Sequence, residues 1–229
     1  MEKTAQHRSI LILCLLGVYF LFSCSTEQIE EQPARMCKSK KEAYPILIQY
    51  LELQGNTYVL NINKENAYRE GVPTIFYDSI KIEVQNTNDV IQKLKDSQDT
   101  ELILLDPKDE ILKGHQKDLL WGTTKSMSIY GSLTTFGQEE AFVYSLWAPM
   151  GTKGLSFSCR ANAAFTPIFT CKTYSSGTWR GVTSVGFMGG TVEIPVPLYV
   201  SNDYVGASFQ TSDSNGGSAY YRGYDSNRP

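Results

Sequence analysis

Apolar positions follow three regimes along the chain. From Ile10 to Phe22 they run almost unbroken for 13 residues, behind Lys3, His7 and Arg8 and ahead of Ser23. A membrane-crossing helix needs about 20 residues, so this run is too short to span. Its layout is that of a secretory signal: a basic start, a short apolar middle and a small residue at the break. Residues 24–42 are polar and show no apolar period, as a tether would.

In the second regime, residues 43–121, strand-like and helix-like periods mix. "ILIQYLEL" and "TYVLNIN" flank Gln-Gly-Asn and predict a hairpin. Asn63 is placed to cap a short helix that Gly71 ends. Pro73 then suits the first turn of a longer helix, in which Phe76, Ile80, Val84, Ile91 and Leu94 share one face. The alternation of Ile80, Ile82 and Val84 would also fit a strand, but the longer window favours the helix. "ELILLDPKDEILK" reads as a second hairpin around Asp-Pro-Lys-Asp.

The third regime, residues 122–229, has no helical period. Short aromatic and β-branched runs, among them "AFVYSLWA", "LSFSCRA", "IFTCKTY", "VGASFQT" and "SAYYRGY", alternate with Gly, Ser, Asn and Pro. Seven or eight such runs predict an antiparallel sandwich or small barrel. In "TVEIPVPLYV", Val192, Ile194, Val196, Leu198 and Val200 face one way while Pro195 and Pro197 face the other. Prolines cannot donate to a ladder, so this strand belongs at an edge. The expected fold class is therefore α+β: a small α+β domain at 43–121, then a mainly antiparallel β-sandwich or small barrel at 122–229. Charge supports a boundary near "WGTTKS": 29 of the 98 residues from Cys24 to Trp121 are charged, against 13 of the 108 that follow. Glycine is distributed the other way, with 14 of 18 in the last part.

Leu21-Phe22-Ser23-Cys24 resembles the lipobox of bacterial lipoproteins. The resemblance implies removal of residues 1–23 and acylation of Cys24. Glu27, Glu30 and Glu31 resemble the acidic surface-export signal of lipoproteins in the Bacteroides group. The expected location is the cell envelope, lipid-anchored at the outer membrane, with the facing side open. Several acyl chains hold firmly where one holds marginally.

Of the five cysteines, Cys14 leaves with the signal and Cys24 carries lipid, which leaves Cys37, Cys159 and Cys171 for an oxidising compartment. Phe165 is midway between Cys159 and Cys171, within a turn-like "AAFTP". A hairpin folded there sets the two directly opposite each other and predicts a disulfide, worth on the order of 3 kcal/mol. Cys37 is left free or pairs between molecules.

Catalytic chemistry finds little material. His115, in the turn-like "LKGHQKDLL", is the only histidine after the signal, and a histidine-based triad would have to use it. No G-x-S-x-G, H-E-x-x-H, P-loop or G-x-G-x-x-G pattern occurs. No zinc ligand set or calcium loop spacing is present, "DSNGGS" at 213–218 reading as a plain loop. Neither cofactor nor metal is therefore expected. A net charge of −3 without a basic cluster argues against nucleic acid.

Aromatic side chains are what the last part has in quantity: Trp147, Tyr174, Trp179, Tyr199, Tyr204, Tyr220, Tyr221 and Tyr224, with Trp121 at its start. Most would fill a core or pair across strands. Trp179, in the polar loop "SSGTWRGV", and Tyr220, Tyr221 and Arg222, near the end, are least expected to be wholly buried and are expected to contact ligand. The functional expectation is a membrane-anchored, non-catalytic lipoprotein displaying a β-rich domain that binds a glycan or cell-envelope ligand. Two alternatives are a structural or adhesin-like subunit pairing through the 191–200 edge strand, and a hydrolase with an unrecognised site.

Overall fold

Ser39 sets the first helix: its hydroxyl accepts from the Glu42 N–H at 3.3 Å, and α1 runs Lys40–Leu47 with Ala43, Tyr44 and Leu47 buried along one face. A single 3₁₀ turn, Ile48–Tyr50, then leads into β1, Leu51–Gln54, paired antiparallel with β2, Thr57–Leu60. The expected hairpin is thus present, but the first half of "ILIQYLEL" is helical. Helical spacing of the buried residues overrides the local β character there. The computed structural model describes residues 35–95, 100–108, 129–187, 190–199 and 201–224.

Asn63 caps α2, Lys64–Arg69, by accepting from the Asn66 N–H at 2.8 Å. α3 follows Pro73 and spans Thr74–Lys95, burying Tyr77, Ile80, Val84, Thr87 and Ile91. The helix, and not the competing strand, forms over 79–84. Its Asn88 amide clamps the hairpin, accepting from the Tyr58 N–H and donating to the Tyr58 carbonyl, both at 2.8 Å. One side chain thereby satisfies both backbone groups of a residue in a two-stranded sheet.

The remaining strands are β3, Thr100–Ile103; β4, Tyr130–Thr135; β5, Ala141–Ala148; β6, Gly154–Ala161; β7, Ile168–Ser175; β8, Thr178–Val185; β9, Val192–Pro197; β10, Asp203–Thr211; and β11, Gly217–Tyr224. They form a five-stranded sheet in the order β3-β8-β7-β10-β5 and a four-stranded sheet in the order β4-β11-β6-β9. Apart from β3, every pairing is antiparallel, and β9 with its prolines is an edge strand as expected. From β4 to β7 each successive strand changes sheet. The core between the sheets is built by Leu155, Phe157 and Cys159 of β6, Val192, Ile194 and Val196 of β9, and Tyr221 of β11. Facing them are Phe169 and Cys171 of β7, Val182 of β8, and Val205 and Phe209 of β10.

The structure bears on three further sequence expectations. β3, the expected first arm of the second hairpin, pairs in parallel with β8, from Thr100 opposite Gly181 to Ile103 opposite Ser184. The proposed second arm lies outside the described residues. β3, from the expected domain at 43–121, thus belongs to a sheet of the expected domain at 122–229, and residues 36–229 form a single compact unit. Phe165, Ile168, Val185 and Phe187 share a second core with α1, β1, β2 and α3. Lastly, the tether ends before 42, because Cys37 is buried in that second core and its N–H donates to the Gly71 carbonyl at 2.8 Å. A thiol held there does not present itself for pairing between molecules.

Candidate functional site

The outer face of the five-stranded sheet carries a cluster of aromatic rings, and its arrangement begins with an irregularity in β5. Strict alternation along "AFVYSLWA" would put Trp147 on the same face as Ala141 and Val143. The pairing of β5 with β10 instead shifts between Val205–Leu146 and Ala207–Val143, so that Tyr144 and Ser145 together oppose Gly206. Ser145 takes up the extra residue at φ 66°. A bulge of this kind reverses the facing of all that follows it. Ala141, Val143 and Leu146 therefore pack on the inter-sheet core, while Phe142, Tyr144 and Trp147 are exposed.

Gly206 completes the arrangement from the neighbouring strand. A Cβ there would lie 3.1 Å from Tyr174 Cβ and 3.3 Å from Tyr144 Cδ1. The absence of a side chain lets the two rings approach across β10, with centroids 6.3 Å apart and planes at 84°. Trp179, opposite Tyr174 in the β7–β8 hairpin, lies 5.3 Å from that ring and 5.8 Å from Tyr144. Phe142 adds an edge contact to Tyr144 at 5.2 Å. Trp147 and Tyr204 make a second pair at 5.2 Å. Edge-to-face contacts of this sort hold rings in fixed orientation while leaving faces open.

Polar groups border the rings. A groove of about 1030 Å³ is lined by Phe142, Tyr144, Trp179 and Tyr199 together with Glu101, Glu140, Lys172 and Arg180. Lys172 donates to Glu140 at 3.2 Å, and the Ser208 hydroxyl donates to the same oxygen. Burial pushes the Glu140 carboxyl up, but these two partners outweigh it and hold the group below the ordinary carboxylate range. An ionised Glu140 accepts hydrogen bonds and does not serve as a proton donor near neutrality. Arg180 sits over the Tyr199 ring, 5.5 Å from its centroid, a cation–π contact. The four charges lining the groove balance to zero.

The expected contact residues separate. Trp179 is in the groove, on strand β8 and not in a loop. Tyr220 and Arg222 are on β11 in the other sheet, where Tyr220 is 63% exposed. Tyr221 is 6% exposed and packs in the inter-sheet core, which corrects the expectation that it meets ligand. Consecutive strand residues face opposite ways, so Tyr220 and Tyr221 cannot share a surface. The Tyr221 ring passes over Gly131, its cross-strand neighbour, where a Cβ would collide with the tyrosine hydroxyl. Cys24 lies outside the described residues, as do His115 and Trp121. Phe142, Tyr144 and Lys172 were not singled out by the sequence, although Phe142 and Tyr144 stand two apart in a run that alternates.

A second groove, about 670 Å³, lies where α1 and α3 meet the loops around 162–166 and 212–215. Several of its polar groups are occupied with one another. Asp213 accepts from the N–H groups of Ala163, Ala164 and Asn215 at 2.6, 3.0 and 2.8 Å, and Glu83 accepts from Lys40 and from the Phe165 N–H. Tyr44 donates to the Ala163 carbonyl at 2.8 Å. These bonds hold loop to helix. Of the stretch 213–218 that the sequence reads as a loop, residues 213–216 are loop, while Gly217 and Ser218 begin β11.

No protein-family model matches this chain, and no curated protein is similar to it. Among solved structures it is similar to the Drosophila melanogaster CENP-C cupin domain, at 14% identity and a TM-score of 0.25, over 44% of this chain and 65% of that one. The chain thus spans less than two thirds of that structure's length, and a likeness this slight carries no functional argument.

Proposed function

We propose that the protein is a lipoprotein, acylated at Cys24 and anchored to the outer membrane of the cell envelope, whose β-sandwich binds a glycan without catalysing a reaction. The observation that carries the binding reading is the ring cluster of Phe142, Tyr144, Tyr174 and Trp179 on an open sheet face, bordered by Glu140, Lys172 and Arg180. Aromatic faces suit the apolar C–H faces of sugar rings, and the neighbouring polar groups suit their hydroxyls. A groove whose charges cancel favours a neutral sugar chain over an acidic or basic one. The anchor reading is supported by the lipobox resemblance of Leu21-Phe22-Ser23-Cys24.

Two measurements test the halves separately. In cells fed an alkyne fatty acid, the wild-type chain should take up label and stay with the membrane, while Cys24→Ala should do neither. Unlabelled wild-type protein would refute the anchor. For binding, affinity electrophoresis against a panel of soluble neutral polysaccharides should show a mobility shift that Trp179→Ala and Tyr144→Ala each weaken about tenfold, as for a contact worth about 1.4 kcal/mol. Equal retention of wild type and both variants, or none by any, refutes the site.

A further inference from the structure

We propose that Cys159 and Cys171 form a disulfide that joins the two sheets of the sandwich in the exported protein. The expected hairpin geometry is replaced by a different one. Cys159 lies in β6, between Val192 and Ala219 of its neighbouring strands in the four-stranded sheet. Cys171 lies in β7, between Val182 and Phe209 in the five-stranded sheet. Residues 162–167 carry the chain from one sheet to the other, so the cysteines face each other across the core and not along a ladder. Both thiols are free and buried, with their sulfurs 3.4 Å apart. An S–S bond is about 2.05 Å, so closure moves the sulfurs together by about 1.4 Å. Among the described residues no third metal-ligating side chain joins the pair.

The step is an oxidation. Two thiols lose two protons and two electrons to a disulfide oxidant, in the envelope a dithiol protein in its oxidised form. One thiolate attacks the oxidant, giving a mixed disulfide and releasing the oxidant's first thiol. The second thiolate attacks that mixed bond, closes the bridge and releases the other thiol. Burial pushes the Cys159 thiol up, as does its partner beside it, and neither side chain reaches solvent. Exchange therefore takes place before the sheets close on each other. The bridge would fix β7, whose Tyr174 lies on the opposite face in the aromatic cluster, beneath the binding groove. The proposal rests on the export half of the proposed function and is independent of the ligand.

Trypsin separates the two residues by cutting after Arg160 and Lys172. Full-length protein from envelope membranes, alkylated in denaturant without reductant, should give peptides 154–160 and 161–172 as a linked pair, with Cys37 alkylated. Alkyl groups on both Cys159 and Cys171 would overturn the proposal. A parallel sample refolded with oxidised glutathione tells why. A bridge there but not in the cell-derived protein means that the chain is not exposed to an oxidising compartment; a bridge in neither means that the geometry is wrong. Reductant should also lower the melting temperature of the bridged protein by roughly 6–12 °C and leave that of Cys159→Ala/Cys171→Ala unchanged.

Discussion

Tyr220 and Tyr221 are adjacent in the chain and differ tenfold in exposure, which makes them a test of what a residue owes to its facing. Tyr221→Ala should empty a space in the inter-sheet core, next to Phe157 at 6.0 Å, and destabilise the fold by about 3–5 kcal/mol. Tyr220→Ala should stay within about 0.5 kcal/mol of wild type. Urea unfolding measures both, and equal costs would contradict the placement. Glu140 gives the second residue-scale expectation. Its carboxyl is held below its ordinary range in the folded state, so the stability it adds is present above the unfolded pKa and is lost as pH falls through the folded one. The melting-temperature advantage of wild type over Glu140→Gln should therefore shrink below about pH 4. An advantage that is the same at pH 3 and pH 7 would show that the Lys172 and Ser208 contacts do not stabilise the ionised form.

At the scale of elements, the bulge in β5 matters most, because it brings Trp147 to the same face as Phe142 and Tyr144. Ser145 holds a left-handed conformation at φ 66°, which glycine adopts freely and β-branched residues resist. Ser145→Gly should be neutral or stabilising by up to about 1 kcal/mol, and Ser145→Val should cost about 1–3 kcal/mol. Thermal melts of the two variants check this, and a stable valine variant would mean that the extra residue is absorbed elsewhere. Most strands were legible in the sequence because their apolar residues alternate. β8 was not. Its "TWRGVTSV" buries Thr183 and Ser184, so a strand in the interior of the sheet, between β3 and β7, reads as polar. The helical start of "ILIQYLEL" was hidden for the opposite reason, since its β-rich composition masks buried positions at helical spacing.

At the scale of the molecule, α1, the β1–β2 hairpin and α3 share a core with one end of the sandwich through Phe165, Ile168, Val185 and Phe187, and β3 belongs to the larger sheet. Burying an aliphatic or aromatic side chain contributes about 1.5–3 kcal/mol, so neither part is expected to hold its shape alone. Urea unfolding followed by tryptophan fluorescence and by far-UV circular dichroism should give one coincident transition; two separated transitions would restore the domain boundary near 121–126. The sequence by itself determined the local features: the Asn63 cap, the long amphipathic α3, the β-rich second half and the prolines of an edge strand, all of which follow from residues within a few positions of one another. Tertiary structure alone decided which sheet each strand joins, that Cys159 and Cys171 meet across the core, and that Trp179 shares a surface with Tyr144 while Tyr221 is turned inward. Those outcomes depend on register and on pairings between residues far apart in the chain, and no local period encodes them.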